Sequence, residues 1–226
     1  MSSQLRLRKY RLAARLSVDL AAGIGLLTVL ALAALLLVSA ATGAPTASLV
    51  LFLLPWIVLA VGWVYLLKSF PVAVSRGVTR RETLAAHGLF GLAVAVAAAL
   101  LSHAGVLAQE LVLAETMPYF YGKGGLDSLT RPLLYFAVGA LLAAIMLRTG
   151  RRPYGGVFVG LVVFFVLARQ IPLSILGAEA GSEGVAIFTF PATHASLTLV
   201  DLALAGSSAA LAWALLARAP LEPKEA

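Results

Sequence analysis

Cysteine is absent from this 226-residue chain, which removes disulfide frameworks, thiolate metal sites and cysteine nucleophiles together. Charge is almost as scarce. Only 12% of the residues are Asp, Glu, Lys or Arg, about half the share of an average soluble domain. Carboxylates number 10 against 17 basic residues, and no HExxH or paired-carboxylate motif occurs among them. No G-x-x-x-x-G-K-[ST] run is present; GKGG at Gly122 to Gly125 lacks its spacing, so the chain has no loop of its own to cradle ATP. The one serine pair in an apolar run, GSSA at Gly206 to Ala209, lacks the GxSG-like turn and partnered histidine of an intramembrane serine protease. His87 and His194 stand alone without metal-ligand spacing. His103 and Glu110 would share a face only if their helix continues through both, and a histidine near an interface is more often hydrogen-bonded than a ligand. No catalytic, cofactor or metal site is therefore assigned to this chain.

What the chain has in abundance is hydrocarbon. At 61% hydrophobic, it carries more apolar surface than one globular core buries, and an integral membrane protein is expected. Six apolar segments are long enough, or nearly so, to cross a bilayer: Leu20 to Ala41, Ala47 to Leu67, Leu84 to Leu107, Pro132 to Leu147, Val157 to Gly177, and Ala195 to Ala217. The fourth is the shortest and would thin the bilayer or let Arg131 and Arg148 snorkel. The expected fold is an all-α bundle of six transmembrane helices forming a single domain over residues 1–226.

An even number of spans puts both termini on one side. Arg6, Arg8, Lys9, Arg11 and Arg15 precede the first span, and Lys68, Arg76, Arg80 and Arg81 join spans two and three. Arg148, Arg151 and Arg152 join spans four and five, and Arg218 and Lys224 follow the sixth. These fourteen of 17 basic residues share a side; only Lys123 and Arg131 oppose them, and Arg169 lies within a span. The positive-inside rule makes that side cytoplasmic. Topology explains most of the +7 net charge, and no role remains for nucleic acid.

The basic start followed by an apolar run and SAATGA resembles a secretory signal, but Leu20 to Val38 exceeds the length of a signal core, about 7–15 residues, and is read as the first span. Before it, LRLRKYRLAARL aligns Leu5, Leu12 and Leu16 on one helical face with Ala13 nearby, so residues 1–18 are expected to form a basic interfacial helix. On the opposite side, GAPT is a tight turn. A longer loop over 108–131 holds Glu110, Glu115, MPYFYGKGG and Asp127, its aromatics suiting an interfacial anchor. The last loop, 178–194, has an apolar middle, Val185 to Phe190, too short to cross and too apolar to be solvated, which implies a re-entrant hairpin.

The most polar interruption is FPVAVSRGVTRRE, Phe70 to Glu82. Ser69 is placed to cap a short helix with Pro71 in its first turn, Gly77 to end it in a left-handed C-cap, and Thr79 with Glu82 to form the capping box that opens span three. Topology alone requires only one or two cations and any turn; a capped element bearing arginines points to a surface held against another protein.

This stretch resembles the cytoplasmic loop of the small six-span permease subunits of the ABC-2 type exporter family, in which a phenylalanine-proline start leads to G-[VL]-[ST]-R-R-[DE]. Phe70, Pro71, Gly77, Val78, Thr79, Arg80, Arg81 and Glu82 match, whereas Arg76 stands where the family has a small or apolar residue. The architectural likeness covers the whole chain, the sequence signature only Phe70 to Glu82. The resemblance implies that the 69–82 loop carries a coupling helix which docks on a separate ABC ATPase subunit, and that ATP and Mg are bound by that subunit. It also implies that two copies, or this chain and a related permease, line the path, and that a re-entrant element lies between spans five and six. Arg80 and Arg81 would face carboxylates of the ATPase, with Glu82 held in the capping box and Arg76 within the same coupling segment.

The resemblance further implies residence in a bacterial plasma membrane and export of a hydrophobic or amphipathic substrate. Within the spans, Arg169 and Asp201 sit at comparable depth from the outer end, and an ion pair between them is expected, with contact to a polar substrate group as the other reading. The rival classes are an ATP-independent scaffold and a secondary transporter. The latter usually needs carboxylates near the midplane, where these spans have none.

Overall fold

The computed structural model of the chain describes residues 3–44, 46–113, 127–149, 156, 160 and 194–217. Apart from Gly160, the expected fifth span lies outside these residues, as do Arg169, the aromatic patch and the apolar middle of the expected re-entrant segment. Every element described is helical: α1 (Ser3–Leu20), a π-helical turn (Ala21–Gly25), α2 (Leu26–Thr42), α3 (Ser48–Ser75), α4 (Arg80–Leu113), α5 (Asp127–Thr149) and α6 (His194–Ala217). Five stretches are long and apolar enough to cross a membrane: Tyr10–Thr42, Ser48–Ser75, Arg80–Leu113, Leu129–Thr149 and Thr198–Ala217. The chain is an apolar helical bundle of the multi-pass membrane kind.

Helix ends differ from the expected boundaries in three places. Helix α3 does not stop at Leu67 for a new helix capped by Ser69; it runs unbroken through Pro71 to Ser75. Buried Phe70 and Ala73 hold that extension against the bundle, and this packing outweighs the backbone hydrogen bond that proline forfeits. Helix α4 continues to Leu113, so the start of the expected 108–131 loop is helical. Helix α5 begins at Asp127 and has 23 residues, about 34 Å at 1.5 Å per residue, so the short apolar stretch Pro132 to Leu147 is extended by helical turns that carry Arg131 and Arg148.

The centre of the bundle is the crossing of α3 and α5. A Cβ at Gly62 would meet the Phe136 carbonyl, and one at Gly139 would meet the Leu59 carbonyl and Trp63 amide. Two glycines thus let the backbones touch, as small residues do where helices pack inside lipid. Around this crossing Phe136 packs edge-on to Phe90, with centroids 5.8 Å apart, and Trp56 edge-on to Tyr135 at 5.7 Å. A second apolar cluster, including Leu66, Phe70, Leu84, Ala144, Ala212 and Leu216, closes one end. The other end is closed by Leu32, Ala47, Val50 and Leu51. There Thr46 Oγ1 donates to the Leu35 carbonyl at 2.8 Å, leaving Ser39 to donate to Thr46 Oγ1, also at 2.8 Å. These bonds fasten the expected tight turn between α2 and α3.

Helices α5 and α6 run parallel. Leu133 and Phe136 share a cavity wall with Leu202 and Ala205 near their starts, while Ala144 and Leu147 meet Ala212, Leu215 and Leu216 near their ends.

Candidate functional site

The reversal between α3 and α4 takes only Arg76 to Thr79, and both helix ends are closed by the chain itself. Gly77 adopts φ 79°, a left-handed conformation that a Cβ would strain. The Val78 amide donates to the Ala73 carbonyl and the Gly77 amide to the Val74 carbonyl, both at 3.0 Å, the paired bonds of a Schellman cap. Two residues on, the Glu82 amide donates to Thr79 Oγ1 at 3.2 Å, and the Thr79 amide donates to Glu82 Oε2 at 3.1 Å. Thr79 Oγ1 itself donates to the same carboxylate oxygen at 2.9 Å. This is the reciprocal capping box read from the sequence. Its carboxylate is occupied inside the chain, as expected of Glu82.

The residues expected to contact a partner divide by exposure. Pro71, Arg76, Gly77, Thr79 and Arg81 are exposed, Val78, Arg80 and Glu82 are half-buried, and Phe70 is 1% exposed within the core. Phe70 therefore anchors the corner. Arg80 Nη1 donates to the Ala217 carbonyl at 3.4 Å, tying the start of α4 to the C-terminal turn of α6, where a cation also complements the helix dipole. Arg81 is left as the exposed arginine of the pair.

The same end carries a basic groove of about 770 Å³ between α1 and the last turns of α3, lined by Arg11, Arg15, Lys68 and Arg76, with Asp19 the single lining carboxylate among the described residues. Ala13 is buried, and Leu12, Leu16 and Leu20 pack on the bundle, so the Leu12 to Leu16 part of the apolar face read in the N-terminal segment is seated on protein.

Of the expected intramembrane pair, Asp201 is buried on α6 at 2% exposure, and Arg169 lies outside the described residues. Helix α4 does continue through His103 and Glu110, yet no group of three metal-ligating side chains occurs among the described residues. His87, read as a lone residue, is 4% exposed and lines a cavity of about 500 Å³ with Leu66, Gly91, Phe136, Ala205 and Trp213. Its ring lies 5.0 Å from that of Phe136. The Gly62 carbonyl lies beside it, but neither ring nitrogen has a partner in hydrogen-bond geometry among the described residues. The only signal for this cavity in the sequence is one polar residue in an apolar run. No protein family, curated protein or solved structure matches this chain.

Proposed function

We propose that this chain is the membrane-spanning permease subunit of an ABC-2 type exporter. It moves a hydrophobic or amphipathic substrate out of the cytoplasm or inner leaflet, driven by ATP hydrolysed on a separate ATPase subunit. The observation that carries the reading is the corner from Arg76 to Glu82. Its Schellman cap and capping box hold exposed cations on a short, fixed protrusion, whereas a topology signal requires only the charges. The coupling element is then the end of α3 with this corner, in place of a detached short helix. Its attachment through Phe70 and Arg80 to α5 and α6 supports transmission of partner movement to the bundle as a rigid body.

The parallel run of α5 and α6 supports the six-span reading, because two consecutive parallel helices need a return crossing between them. Residues 150–193 are long enough to supply it, at about 1.5 Å per residue. With the basic end cytoplasmic, both termini lie in the cytoplasm of a bacterial cell. Two copies, or this chain and a related permease, then enclose the path. Asp201, buried on α6, is then the residue available for the expected pairing with Arg169 or for contact with a substrate headgroup.

The test is co-purification of the tagged chain with the ATPase encoded nearest to it, comparing wild type with Arg81→Glu. Arg81 is the variant of choice because Arg80 also bonds to α6. Recovery of the ATPase with wild type and its loss with intact, folded Arg81→Glu is expected. Failure of any ATPase to associate would favour the ATP-independent alternatives, a scaffold or a secondary transporter.

A further inference from the structure

We infer that the bundle holds an anionic phospholipid between its first helix and α3. The head of the site is the basic groove, with Arg11, Arg15, Lys68 and Arg76 around it. Its floor is apolar, formed by side chains such as Leu16, Val64 and Ala73. Ile24 also lines a second groove of about 680 Å³, bounded by Leu20, Val29, Val58, Val94, Ala98 and Leu101 among others. Among the described residues the only polar side chain on those walls is Thr28, whose hydroxyl donates to the Ile24 carbonyl at 2.8 Å. A cationic chamber at the end of the bundle and an apolar slot running along it therefore meet at one residue. That sequence of chemistries matches a phosphate-bearing headgroup followed by an acyl chain.

The backbone opens where the two grooves join. The Leu26 amide reaches the Ala21 carbonyl across the π-helical turn, an irregularity that recurs at functional sites in helices. Among the described spans the first is the one least covered by protein, with 11% of its apolar window buried against 72% in the fourth stretch, so most of its surface is open to lipid. All four cations are exposed at the groove, and basic pockets between transmembrane helices at the membrane surface bind anionic headgroups. A soluble anion would leave the apolar slot unexplained, and a neutral lipid would leave unexplained why four cations, whose side of the membrane topology sets, converge on one groove.

This inference does not depend on an ATPase partner. Its test leaves Arg76 and Arg81 untouched, so it can fail or hold independently of the co-purification. The full chain, purified in mild detergent, is titrated with phosphatidylglycerol, phosphatidylcholine and inorganic phosphate, and bound lipid is counted by native mass spectrometry. Wild type is expected to retain phosphatidylglycerol over phosphatidylcholine. The triple variant Arg11→Gln, Arg15→Gln, Lys68→Gln is expected to lose at least about tenfold in that binding, its exposed substitutions leaving the bundle folded. Ala97→Trp, at an exposed position on the wall of the slot, is expected to weaken lipid retention while leaving the cations in place. Equal retention of the two lipids, undiminished binding by the triple variant, or full competition by inorganic phosphate would each overturn the assignment.

Discussion

Three glycines on three helices set how closely the centre of the bundle packs, two of them held by backbone and one by a ring. Gly139 faces backbone, the Leu59 carbonyl and Trp63 amide, which cannot rotate away. Gly62 likewise faces the Phe136 carbonyl, whereas Gly91 faces the Phe136 ring, a side chain already bounded by His87 and Phe90. Gly139→Ala is therefore expected to destabilise the bundle by about 1–3 kcal/mol, since overpacking forces the backbones apart. Gly88 on the same α4 has nothing within 4 Å of an added Cβ, so Gly88→Ala should be neutral or stabilising by up to about 1 kcal/mol. Unfolding in mixed detergent followed by circular dichroism measures both. Equal effects of the two substitutions would show that close approach at the crossing is not what Gly139 provides.

The corner between α3 and α4 works through paired bonds, so its parts should act together. Thr79→Ala and Glu82→Ala are each expected to cost about 1 kcal/mol. The double variant should cost clearly less than the sum, because either single change already breaks the reciprocal bonds of the box. Gly77→Ala should cost a further 1–2 kcal/mol or so for its left-handed backbone. Strict additivity in the double-mutant cycle would mean that Thr79 and Glu82 act separately. These caps were legible because they depend on residues adjacent in sequence: glycine after the last helical turn, then T-x-x-E. The continuation of α3 through Ser69 and Pro71 was not, because local chemistry there favours a new helix start. What overrides it is burial of Phe70 against Leu84 and the cluster on α5 and α6, contacts between residues far apart in the chain. The split between Arg80 and Arg81 was hidden for the same reason, as the Ala217 carbonyl lies 137 residues from Arg80. The cavity beside His87 is assembled from four helices, and no periodicity in one helix announces it.

At the scale of the whole molecule, the direction of each helix relative to the basic end decides how many times the chain crosses the membrane. Helix α3 ends at the corner where α4 begins, and α6 ends against Arg80 at that same corner. Because α5 runs parallel to α6 and packs beside it, Thr149 also belongs to the basic end and His194 to the other. The absence of native cysteine makes this directly testable, since a single introduced thiol has no competitor. Ser75→Cys, Thr149→Cys and Ala217→Cys are expected to react with a membrane-impermeant maleimide only after the cytoplasmic face is exposed, as in inverted vesicles. Thr42→Cys and His194→Cys should react from outside intact cells. A positive-inside arrangement with a crossing between residues 149 and 194 produces that pattern and no other. If Thr149→Cys and His194→Cys label from the same face, the chain crosses five times, its termini lie on opposite sides, and a bundle with both ends in the cytoplasm is ruled out. Labelling of Ser75→Cys from outside would invert the whole protein, putting the capped corner beyond the reach of any cytoplasmic ATPase.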